Sequence, residues 1–112
     1  MDNLNYKMGW LVVYFDLPTA TKQERKNYTD FRKALLEDGY IMVQYSVYAR
    51  ACVSYDRVLT HARRLKSFLP PAGAVRCMFV TNIQWEKMFV FYGPEQEPNP
   101  NLESLPEQLL LW

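Results

Sequence analysis

One acid ends the first strongly apolar run of this chain. Residues 10 to 18 read Trp-Leu-Val-Val-Tyr-Phe-Asp-Leu-Pro, and Asp16 is the lone charge among them. Six apolar or aromatic residues in a row, rich in β-formers, predict a strand buried on both faces. Pro18 has no N–H to give to a ladder, so the strand stops there. A carboxylate at the end of a buried strand is costly unless it is hydrogen-bonded, paired or metal-bound. Two readings follow. Asp16 caps the next turn, or it handles a metal ion or a phosphate at the mouth of a sheet. No second acid lies near it in sequence, and Asp30, Glu37, Asp38 and Asp56 read as solvated helix residues. His61 is the single histidine, and its neighbours Arg57 and Arg64 mark a helix flank. It reads as a surface residue, with a role as a base the sharper alternative. Cys52 and Cys77 each sit in an apolar run and read as reduced core thiols. One His and two scattered Cys lack the spacing of a zinc site.

The elements that position these residues follow from patterning. Thr21 with Glu24 makes a capping box that starts a helix running to about Asp38, where Gly39 supplies the stop. Tyr28, Phe31 and Leu35 share its apolar face; Lys22, Lys26 and Lys33 lie opposite, with Arg25 and Arg32 on a flank. Residues 40 to 52 are β-rich and too long for one ordinary strand, which predicts a bent strand or two strands joined around Gln44 to Ser46. A second helix is predicted over Tyr55 to Leu69, with Val58, Ala62, Leu65 and Leu69 as its buried stripe and Pro70-Pro71 as its end. A third strand region spans Gly73 to Asn82. A short turn or helix around Gln84 to Lys87 then leads to a further strand, Met88 to Tyr92. The order predicts an α+β, ferredoxin-like βαββαβ sandwich with an extra C-terminal strand.

The chain has 112 residues, 49% of them apolar, enough for one small domain with a core that would gain from self-association. Residues 1–94 read as that domain and 95–112 as an acidic, Pro-containing tail with an apolar end. Up to residue 94 there are thirteen Lys and Arg against eight acids, a net +5; beyond it are four acids and no cation. The basic body suggests an anionic partner. No run of 18 uninterrupted apolar residues is present, so no membrane span is predicted. The N-terminus has no apolar signal region, which points to the cytoplasm.

Taken together, these motifs resemble a known family. Phe15-Asp16-Leu17-Pro18, the basic first helix (Glu24-Arg25-Lys26-Asn27-Tyr28 with Phe31-Arg32-Lys33), Gln44-Tyr45-Ser46-Val47-Tyr48, Leu65-Lys66 with Leu69-Pro70-Pro71, and a strand ending in Thr81 occur in order. The pattern is similar to that of the small CRISPR-associated adaptation proteins of the Cas two (Cas2) family, in the version found beside type II effectors. The family's commoner Tyr-Asp is Phe-Asp here.

The resemblance implies a ferredoxin-like homodimer in which a C-terminal strand completes the partner's sheet, with Tyr45, Tyr48, Phe89 and Phe91 as dimer contacts. It implies a bridge between two dimers of the adaptation integrase, Cas one, holding duplex DNA for insertion as a new spacer. The cations offered to the DNA backbone are Arg25, Lys26, Arg32, Lys33, Arg50, Arg57, Arg63 and Arg64. It also implies a metal-dependent endonuclease role, in which Asp16 and its dimer mate hold Mg²⁺ or another divalent cation. A stand-alone ferredoxin-like ribonuclease of the toxin type is the alternative from another class. An RNA-binding sheet of the RRM kind is disfavoured, since its aromatic motif is absent.

Overall fold

The computed structural model describes residues 8–94. Strand β1 (Gly9–Asp16) leads into helix α1 (Lys22–Glu37), then strands β2 (Ile41–Gln44) and β3 (Val47–Cys52), helix α2 (Tyr55–Ser67), strand β4 (Ala74–Thr81) and a short helix α3 (Asn82–Glu86). The sheet has the order β2-β3-β1-β4, and all neighbours are antiparallel. Two crossover helices on a four-stranded antiparallel sheet of this order make the ferredoxin-like α+β sandwich that patterning predicts.

The helix boundaries have local causes. Thr21 accepts the Glu24 backbone N–H, and the Glu24 side chain accepts the Thr21 N–H, so both members of the capping box are in place. At the other end, Tyr40 N–H donates to the Leu35 carbonyl and Gly39 N–H to the Leu36 carbonyl, each at 3.1 Å. This is a Schellman closure with Gly39 left-handed at φ +92°, and Leu35 and Tyr40 are buried together beneath it. Residues 41–52 form two strands, as the excess length suggested. Tyr45 and Ser46 make the turn, and the register slips between Met42 and Gln44. Ser46 is left-handed at φ 64°. Phe15 N–H donates to its carbonyl, and its hydroxyl lies 3.3 Å from that of Tyr28.

The two sheet faces differ, which corrects the expectation of a strand buried on both. Leu11, Val13 and Phe15 point to the helix layer and join Phe31, Leu35, Tyr48, Val58 and Leu65 in the main core. On the opposite face, α3 and the residues after it cover only one end. There Trp85 stacks on Trp10 at 4.8 Å and packs with Val12, Ala49, Met88 and Val90. The other end, carrying Tyr14 and Asp16, is open.

Residues 88–92 have no strand structure in the single chain. A strand exists only where an edge pairs it, so the extra strand predicted there is not formed within this chain. The tail beyond residue 94 and the residues before Met8 lie outside the described residues.

Candidate nucleic-acid interface

Asp16 ends β1 on the open face with its side chain exposed, not at a buried strand end as expected. Alternation explains this, since even-numbered residues of β1 face away from the helix layer. Gly73 fixes the local backbone. It is left-handed at φ +93°, and a Cβ there would stand 2.6 Å from the Asp16 carbonyl oxygen. Around Asp16 is an open cleft of about 330 Å³ lined by Tyr14, Phe15, Tyr45, Ser46, Val47, Ala74 and Arg76. Tyr14 pairs with Arg76, and Asp16 with Ala74, across β1 and β4. Asp16 and Arg76 are therefore diagonal cross-strand neighbours on one face.

The expected DNA-binding cations sit in the helix layer and on the helix side of β3. Several are engaged within the chain. Arg25 donates to the Thr19 and Ala20 carbonyls. Lys26 pairs with Asp30 at 2.8 Å. Arg32 lies against the Tyr48 hydroxyl, and Arg50 donates to the Asp38 carbonyl. Arg64 forms an ion pair with the Asp38 carboxylate. All of these cations but Arg50 are exposed, Lys33, Arg57 and Arg63 included.

The last of those pairs belongs to a buried cluster that patterning did not reveal. Asp38, expected in solvent, is the C-cap of α1 and is buried. His61, expected at the surface, is buried beside it, with Nδ1 3.5 Å from the Asp38 carboxylate. Burial lowers the imidazole's pKa from its usual value, and the Arg50 charge adds to this, while Asp38 pulls the other way. His61 takes the buried position between Val58 and Leu65 that patterning gave to Ala62, and Leu69 is exposed beyond the helix end. Tyr40, packed nearby, has its phenol raised well above the usual tyrosine range, by burial first and then by Asp38.

Of the expected dimer contacts, Tyr48 requires correction. It is 1% exposed in the chain's own core, stacked on Phe15 at 5.8 Å, because it faces the helices across from Val13. Tyr45, Phe89 and Phe91 are 76%, 67% and 78% exposed. The cysteines also differ. Cys52 is buried as expected, but Cys77 is exposed on the edge strand β4.

Against that geometry stand the known proteins. The family model described as CRISPR associated protein Cas2 matches residues 8–88. The chain belongs to the Cas2 family. It is 40% identical over 102 residues to a CRISPR-associated endoribonuclease Cas2 of Flavobacterium psychrophilum, covering 88% of this chain and 89% of the relative. It is 41% identical over 103 residues to the protein of that name from Parvibaculum lavamentivorans, covering 92% and 99%. It is also 41% identical over 107 residues to the one from Paracidovorax avenae, covering 96% of each. The Cas2 match spans every strand and helix described above.

One chain brings a single carboxylate to a divalent ion at this cleft. No group of three His, Cys, Asp or Glu side chains that could hold a metal occurs among the described residues. Asp16 stands as a single carboxylate with a guanidinium on the adjacent strand. No helix among the described residues is long and apolar enough to cross a membrane.

Proposed function

We propose that this Cas2 protein is a subunit of CRISPR adaptation. As a homodimer it binds duplex DNA along its helix layer and bridges integrase dimers for spacer insertion. One observation carries this reading over catalysis. The exposed cations Lys33, Arg57 and Arg63 lie on the helices, and Asp16 lies on the opposite face of the sheet. A backbone held by the helices therefore does not meet the carboxylate. Such binding needs only distributed positive charge and is tolerant of sequence.

A second reading is favoured by the relatives, whose name says endoribonuclease. There the Asp16 cleft itself receives a nucleic-acid strand. The two readings separate in a spacer-integration assay with the partner integrase and a repeat-bearing plasmid. Integration is expected to require this protein and to survive Asp16→Ala. Loss of integration by Asp16→Ala, with the dimer and DNA binding intact, overturns the scaffold reading.

A further inference from the structure

We infer that Arg76 is the phosphate-binding residue of the Asp16 cleft. It would hold the phosphodiester of a nucleic-acid strand laid against the open end of the sheet. The inference deepens the second reading above and rests on it for the cleft's use, but its test does not depend on cleavage.

Strand register decides which cations can reach Asp16. Positions 10, 12, 14 and 16 of β1 face away from the helices, and cross-strand partners share a face. The partners on that side are Val47, Ala49 and Ala51 of β3, and Ala74, Arg76, Met78 and Val80 of β4. Arg76 is the one cation these strands place there. Arg50, the other strand arginine, pairs with Leu11, faces the helices and is engaged at the Asp38 carbonyl. The helix cations stand behind the sheet, in the layer that buries Leu11, Val13 and Phe15.

A phosphodiester bound beside Asp16 brings a second negative charge to a carboxylate. That approach is repulsive unless a cation lies between or beside them. Arg76 is an exposed diagonal neighbour of Asp16 that makes no ion pair among the described residues. A guanidinium presents a planar fork of donors that matches two phosphate oxygens at once. The same cleft is lined by Tyr45, a 76% exposed ring with one side stacked on Tyr28 at 5.9 Å, and by Ser46. An exposed aromatic ring beside a phosphate cation is the pairing that holds an unpaired base and its backbone together.

The test uses the full chain labelled with nitrogen-15, titrated with the dinucleotides UpU and TpT. The side-chain Nε–Hε resonance of Arg76 is expected to move saturably with one or both, the pair distinguishing ribose from deoxyribose. Arg76→Ala is expected to weaken this binding about tenfold or more, as loss of a charged hydrogen-bonding partner does. Arg76→Lys retains part of it, and circular dichroism verifies the fold of each variant. An Arg76 resonance that stays fixed while the helix arginines move overturns the inference, as does binding undiminished in Arg76→Ala. If Arg76 serves only to pair Asp16, in its own chain or across a dimer, its resonance moves with Asp16→Asn and not with dinucleotide, which also overturns it. Duplex binding and integration, measured in parallel, report on the adaptation reading separately.

Discussion

At the scale of single residues, the chain separates two kinds of charge. Asp16 and Arg76 are exposed on an open face, where water compensates them. Asp38 and His61 are buried, and Arg64 and Arg50 reach in to meet them. A buried carboxylate beside an imidazole and a guanidinium gives stability a sign with pH. The folded state depresses the His61 pKa below its ordinary value of 6.5, so the unfolded chain binds the proton more readily. The unfolded state therefore holds more protons as pH falls through about 6.5, and stability declines there. The contribution is fully present above that value. Denaturant unfolding between about pH 7.5 and pH 5.5 is expected to show a falling midpoint, and His61→Gln to flatten that part of the fall. An equal fall in His61→Gln would show that other groups drive it.

At the scale of elements, the junctions were the most legible parts of the sequence, because each rests on a few local atoms. The Thr21–Glu24 box and the glycine stop stand where their residue types placed them. Length alone left residues 40 to 52 as a bent strand or two strands, and the structure has two. What sequence did not reveal was the use of particular side chains. His61 and Asp38 look polar along the chain and become buried only because α2 packs across the end of α1. Tyr48 looked available because alternation gives two faces without saying which one the helices take. Gly39 links the local and tertiary levels. Its φ of +92° disfavours any Cβ, and an added methyl would lie 2.8 Å from Arg50 Nη1, the group that donates to Asp38. Gly39→Ala is expected to cost roughly 1–2 kcal/mol for the left-handed backbone. It should lower the denaturation midpoint without changing the slope. A midpoint equal to wild type would mean that the turn re-forms in another geometry.

At the scale of the whole molecule, the sandwich separates the positive helix layer from the sheet face that carries Asp16. That separation was not visible in composition, where the thirteen cations form one pool. The structure divides them by what they touch. Arg64 holds a buried carboxylate, so reversing it attacks the fold. Lys33, Arg57 and Arg63 are exposed, so reversing them changes the surface field alone. This division makes the duplex-binding proposal testable without confusing binding with folding. Lys33→Glu, Arg57→Glu and Arg63→Glu together should leave the melting curve close to wild type and weaken duplex binding. Each residue that contacts a phosphate should also take about one from the slope of log affinity against log salt. Arg64→Glu should instead lower thermal stability. A triple variant that binds duplex DNA with wild-type affinity and salt slope would place the DNA track away from these three residues. The helix cations left in place, Lys22 and Lys66 among them, and the open face with Arg76 would then be the surfaces to test for it.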